Sequence, residues 1–156
     1  MLDAEQLVKR LQQRHLTISV AESCTGGRIA ARITAVAGSS SVFPGGVVSY
    51  CDDVKHRVLG VPQALLDEYG AVSREVAAKM AEGAAKLMGT DMALSATGLA
   101  GPDGDGSGKP VGTVFLGLYY RGKTMVTACH LAGKRGDIQS KAVEYALRMV
   151  LECLKD

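Results

Sequence analysis

An apolar, β-rich run from Leu16 to Ala21 stops at Glu22-Ser23-Cys24-Thr25-Gly26-Gly27. The chain then resumes with helical spacing, Ile29 and Ile33 lying four residues apart. This junction constrains the fold more than any other feature. A strand that passes directly into a helix belongs to architectures in which helices pack on the faces of a sheet.

The rest of the chain keeps that alternation. A first helix opens at Asp3, with Gln6 three residues on as capping partner and Leu7, Val8 and Leu11 as its apolar stripe. Helical spacing after the junction runs from Thr25 to Ala35. Gly45–Tyr50 reads as a second strand, Asp52–Leu59 as a short helix stopped by Gly60, and Pro62 as the start of another. Ser73 caps a longer helix that runs through Met88 and is closed by Gly89. Met92–Thr97 is a third strand. Residues 98–112 hold six glycines and two prolines, so they form a loop. Thr113–Tyr120 and Thr124–Leu131 are strands joined at Arg121-Gly122, and a last helix runs from Gly136 to Leu154. The expected fold is α/β: a single three-layer α/β/α domain over residues 1–156. Its sheet is mixed, because the hairpin brings in antiparallel neighbours.

Composition narrows the function classes. A formal net charge of +2, with no basic run longer than two residues, does not suit a polyanion partner, so no nucleic acid is expected. No apolar run approaches the roughly 20 residues of a membrane helix, so no membrane partner is expected either. The amino terminus reads as an amphipathic helix rather than a leader. Cys24, Cys51, Cys129 and Cys153 show no C-x-x-C spacing, which suits reduced thiols in a cytoplasm. His15, His56 and His130 lack metal-ligand spacing, and neither a metal nor a cofactor is expected. Asp103, Asp105 and Ser107 imitate the start of a calcium loop, but Val114 stands where its acidic twelfth ligand would be.

The junction is where chemistry would concentrate. Free backbone N–H groups at a helix start favour an anion or a developing oxyanion, and paired glycines let a ligand approach the backbone. The same residues also fit a plain helix cap by Ser23 or Thr25. The segment is not the G-x-S-x-G turn of serine hydrolases, and no Walker loop is present. No S-x-x-K occurs, so a lysine base for Ser23 must come from elsewhere in the chain. Cys24 is a rival nucleophile if the turn acidifies it, and a small buried residue otherwise.

Ala21–Gly27 resembles the A-E-S-C-T-G-G motif of the CinA carboxy-terminal domain family, which includes nicotinamide-nucleotide amidases. The resemblance continues through Gly38-Ser39-Ser40, Gly45–Tyr50, Lys55, Leu59-Gly60-Val61 and Gly70–Ser73. It runs on through Thr97–Pro102, Lys109–Gly112 and Gly133-Lys134-Arg135, covering nearly the whole chain in order. Two places depart from the family pattern. Cys51-Asp52 stand where Ser-Asn is usual, and Lys134 replaces an acid in the closing motif. Some family members carry a further amino-terminal domain; this chain resembles the stand-alone form.

The resemblance implies hydrolysis of the carboxamide of nicotinamide mononucleotide, giving nicotinate mononucleotide and ammonia. It implies Ser23 as nucleophile, assisted by Lys55 and Tyr50. A hydroxyl nucleophile needs a base, and lysine serves as one only when burial or a neighbouring cation keeps it neutral. Lys55 would take the Ser23 proton, Tyr50 would relay that proton or orient Lys55, and amides near Thr25, Gly26 and Gly27 would receive the oxyanion. Gly46, Thr97 and Gly98 are placed at the substrate, with the loop 98–112 as rim or lid and Arg135 on the nucleotide phosphate. Taken alone, Lys55 reads as a solvated helix lysine, Tyr50 as a half-buried strand residue and Arg135 as a surface arginine. The rival functions are a non-catalytic nucleotide-binding module, an amidase for a related pyridine or ribosyl amide, and an interaction protein whose activity has decayed. The expected partner is a small nucleotide substrate, in a homo-oligomer of two or more copies.

Overall fold

A computed structural model describes residues 2–155. Its sheet has five strands: β1 (Ile18–Glu22), β2 (Gly46–Val48), β3 (Met92–Gly98), β4 (Thr113–Tyr120) and β5 (Lys123–His130). They lie in the order β2-β1-β3-β4-β5. The first three are mutually parallel, with Val20 beside Gly46 and Leu94. β4 and β5 add on antiparallel, with Gly117 facing Ser95 and Val126. Helices cover both faces, giving the α/β fold with a mixed sheet.

The layers follow from strand alternation. Ile18 and Val20 point to one face and join a core with residues of α1 (Leu2–Arg14), α2 (Arg28–Thr34) and α6 (Arg135–Cys153). Ala21 and Ala93 point to the other, against α4 (Gln63–Tyr69), α5 (Arg74–Met88) and the Leu59–Val61 turn that follows α3 (Asp52–Arg57). Covered on both sides, β1 is buried along its whole length, and so is β3 as far as Thr97. Among the described residues no helix is long and apolar enough to cross a membrane.

Element boundaries differ from the sequence expectation where local chemistry intervenes. Ser73 caps α5 as expected, its hydroxyl accepting the Val76 N–H at 3.2 Å. Asp3 is not a cap. It lies inside α1, and its carboxylate accepts from Arg148. α2 begins at Arg28 rather than Thr25, because Gly26 and Gly27 take left-handed conformations with φ of 57° and 97°. β2 is shorter than the apolar run that predicts it, since only Gly46–Val48 find partners on β1.

This topology creates a crevice. From the carboxyl end of β1 the chain leaves through α2 towards β2. From the end of β3 it leaves in the opposite direction, towards β4. A gap opens between two such diverging connections, as at the ligand-binding switch points of open α/β sheets. Ser23 follows β1 and Leu99 follows β3, so the crevice lies between them.

Candidate active site

Ser23 sits in the turn between β1 and α2, held by its own amide, which donates to Ala96 O at 2.8 Å. Its side chain lies at the floor of a cleft of about 270 Å3. Tyr50, Gly98–Gly101, Asp103 and Arg135 form the walls.

Lys55 reaches this floor from α3. It is 1% exposed, against the usual habit of lysines. Burial is possible because its amine has partners: Nζ donates to Ser23 Oγ at 3.0 Å and to Ser49 O at 2.8 Å. Ser49 is itself fixed, its amide donating to Glu22 O at 2.8 Å. Burial is also the main reason the Lys55 ammonium loses its proton below the ordinary lysine value of 10.5; the nearby Asp52 carboxylate opposes the shift without cancelling it. The site therefore pairs a hydroxyl with an amine biased towards its neutral form.

Cys24 is the opposite case. Burial, reinforced by the Glu22 carboxylate, raises its thiol to about 12, so at neutral pH it holds its proton and is a poor nucleophile. It packs into the core beneath the cleft.

Glu22 is the functional residue that the sequence reading missed. Its carboxylate is fully buried. It accepts from the Thr25 hydroxyl at 2.6 Å, the Ile29 amide at 2.9 Å and the Ala30 amide at 3.0 Å. The anion at the start of α2 is thus supplied by the protein itself. Two expectations are corrected by this. The helix start is not open to a substrate anion, and the Thr25 hydroxyl, fully buried, is spent on Glu22 rather than on a ligand. Gly26 is corrected too: its amide donates to Ser23 O at 3.1 Å and closes the turn. The amides of Cys24 and Thr25 take no acceptor within the described residues, but of the two residues only Cys24 lines the cleft, so its amide is the donor left for an oxyanion. The signal available in the sequence was the acid directly before Ser23, at a strand end where a carboxylate needs partners.

Removing that carboxylate strands two buried donors and one part-buried donor, each buried one costing about 1–3 kcal/mol. Glu22→Ala is expected to lose about 3 kcal/mol or more, lowering the thermal midpoint by about 10 °C in calorimetry. A midpoint within about 2 °C of the unaltered protein would show that the turn does not depend on it.

The remaining predicted residues separate into groups. Tyr50 lines the cleft, but its hydroxyl accepts from Arg135 Nη2 at 2.8 Å, and Lys55 is oriented by the Ser49 carbonyl instead. Arg135, the first residue of α6, also donates through Nη1 to Gly101 O and so joins the two sides of the cleft mouth. The Thr97 hydroxyl is buried and donates to Ala71 O at 2.8 Å, away from the cleft. At Gly46 a Cβ would fall 2.4 Å from Val20 Cγ2, so this glycine serves strand packing. A Cβ at Gly98 would fall 2.7 Å from Thr113 O, yet this glycine also borders the cleft. Gly27 ends the turn without lining the cleft. The loop beyond β3 is a rim with a fixed base, since Gly112 N donates to Leu99 O at 2.7 Å and Lys109 Nζ donates to Val72 O.

Residues 3–154 match the family model of the CinA C-terminal domain. A CinA-like protein of Dictyoglomus turgidum is 52% identical over 135 residues, which is 86% of this chain and 33% of that protein. A putative competence-damage inducible protein of Desulforudis audaxviator is 49% identical over 140 residues, 90% of this chain and 34% of that protein. The chain thus spans about a third of the length of the curated relatives it matches. The crystal structure of a competence-damaged protein (CinA) superfamily protein from Escherichia coli superposes with a TM-score of 0.95 at 34% identity. That match covers 97% of this chain and 88% of the other. A competence/damage inducible protein from Agrobacterium tumefaciens gives a TM-score of 0.89 at 39% identity, covering 99% and 96%.

Proposed function

The chain belongs to the CinA C-terminal domain family, and on that premise we propose that it hydrolyses the carboxamide of nicotinamide mononucleotide to nicotinate mononucleotide and ammonia. One observation carries this reading: a buried lysine amine 3.0 Å from a serine hydroxyl at the floor of a cleft. An amide is a weak electrophile and ammonia leaves only when protonated, so the reaction needs a nucleophile and a group that moves a proton both ways.

The geometry supplies both. Neutral Lys55 accepts the hydroxyl proton as Ser23 Oγ attacks the carboxamide carbon. The developing oxyanion faces the amide of Cys24. Lys55 then gives the proton to the departing nitrogen and ammonia leaves, with an ester on Ser23 remaining. Water, deprotonated by the same amine, hydrolyses that ester and restores Ser23. Ser49 O holds Nζ in place through these steps.

Arg135 suits the phosphate. Two of its five N–H donors are spent on Gly101 and Tyr50, and the rest are available at the cleft mouth. Arg135→Ala is expected to raise KM for the mononucleotide about 10-fold to 100-fold, with kcat changed only a few-fold and the phosphate-free riboside little affected. Equal losses for mononucleotide and riboside would assign Arg135 to holding the rim.

The test of the function is ammonia release by the purified protein from nicotinamide mononucleotide, compared with nicotinamide, its riboside and the full dinucleotide. Release confined to the mononucleotide supports the reading. Release from none of the four would overturn it, and release only from another of them would move the activity to that amide. We further propose that the protein works as a homo-oligomer in the cytoplasm, to be checked by sedimentation and by fractionation of the source cells.

A further inference from the structure

On the far side of the Ser23 turn, α2 and α6 enclose a second cleft of about 280 Å3 lined by Arg28, Ala31, Arg32, Ser140 and Val143. Arg28 and Arg32, one helical turn apart on α2, both line it, and no carboxylate does. Arg32 Nε is sequestered from solvent, and no acceptor reaches it among the described residues. Nε itself is closed to an oxygen of water size, so a ligand in the cleft would meet Arg32 through its terminal nitrogens. Arg32 enters no ion pair with a described residue.

We propose that this cleft is a second binding site, in which Arg28, Arg32 and Ser140 hold the phosphate group of a ligand. The donor set favours phosphate over carboxylate. Two planar forks and a hydroxyl offer more directed donors than two carboxylate oxygens use, and two positive charges match a dianion. Helix N–H groups play no part, because Glu22 already takes those of Ile29 and Ala30. Ala31 and Val143 form an apolar floor on which the organic part of a phosphomonoester can lie. The site also touches the catalytic turn from behind. Arg28 Nη1 donates to Thr25 O at 3.1 Å, and Gln139, next to Ser140, donates to Cys24 O at 3.1 Å. The proposal is independent of the amidase reading, since it uses no residue of the Ser23 cleft.

The test is a titration of 15N-labelled protein with inorganic phosphate and with phenyl phosphate at fixed ionic strength, followed by amide NMR. Saturable shifts are expected at Ala31, Ser140 and Val143. Arg32→Gln should weaken them about tenfold or more, and Arg32→Lys should recover part of the loss. Signals of Leu99–Gly101 report phosphate at Arg135 and should not respond to either substitution. Equal affinity for the two probes identifies free phosphate as the ligand, and tighter phenyl phosphate an organic phosphomonoester; either upholds the site. The proposal fails if the shifts do not saturate, if chloride reproduces them, or if Arg32→Gln leaves the affinity unchanged in a protein whose spectrum remains folded. It fails equally if the same resonances move with protein concentration instead of phosphate, because a second copy would then cover the cleft.

Discussion

Ser23→Ala is expected to lower ammonia release from nicotinamide mononucleotide by about 10,000-fold or more while leaving substrate binding within a few-fold. The hydroxyl forms its bond to the substrate only during reaction, so it contributes little to ground-state affinity. In the resting protein it accepts one hydrogen bond from Lys55, worth about 1 kcal/mol. The contacts that should carry affinity, from Arg135 and the Gly98–Gly101 rim, are separate from it. The fold should tolerate the change, because the turn is held by backbone bonds and by the Glu22 carboxylate, not by Oγ. Calorimetric binding paired with single-turnover ammonia release decides the matter. Turnover within about tenfold of the unaltered protein would remove Ser23 as nucleophile. Cys24 would not replace it, since a thiol raised to about 12 supplies almost no thiolate at neutral pH.

The sheet was legible because its signals are local. Strand-like runs of six to eight residues, a capping serine at Ser73 and the Arg121-Gly122 turn each announce themselves within a few positions. The pairing of Ser23 with Lys55 was not legible in that way. Ser23 and Lys55 are 32 residues apart, and no spacing rule connects them. By its type alone Lys55 belongs in solvent; only the carbonyl of Ser49 and the hydroxyl of Ser23, brought together by β1, β2 and α3, make its burial tolerable. Family resemblance named the pair, and the fold supplies the reason.

The error at the turn has a physical cause as well. Helix starts usually offer free N–H groups, which is why the sequence points to an oxyanion site there. Here the preceding residue is an acid whose side chain lies on the α2 side of β1, alongside Ile18 and Val20, and it reaches those amides first. On the proposed mechanism the oxyanion donor moves back to the amide of Cys24, next to Ser23. Thr25 and Gly26 thereby become parts that shape the turn, and Leu99–Gly101 and Arg135 are left to line the cleft at its rim.

Lys55→Met should be nearly as damaging to turnover as Ser23→Ala, and combining the two should cost no more than either alone. A nucleophile and its base act as a unit, so removing one leaves the other with nothing to do. Methionine keeps length and apolar bulk but cannot accept a proton. Activity of the unaltered protein should rise with pH as the amine loses its proton, with a midpoint below the 10.5 of a free lysine, because burial disfavours the ammonium. In Lys55→Met that limb should vanish, leaving a flat residual rate. Stability supplies a second readout with its own sign. Since the folded-state value is lowered, the unfolded chain binds a proton that the folded chain lacks, across the window from that value up to 10.5. Stability of the unaltered protein relative to Lys55→Met should therefore increase as pH rises through the window and level off above it. Rate profiles and thermal melts of both proteins over the same pH range check the two halves together. If the rate limb survives in Lys55→Met, another group is the base. If the limb vanishes while relative stability stays flat, Lys55 moves the proton but is not held neutral by burial.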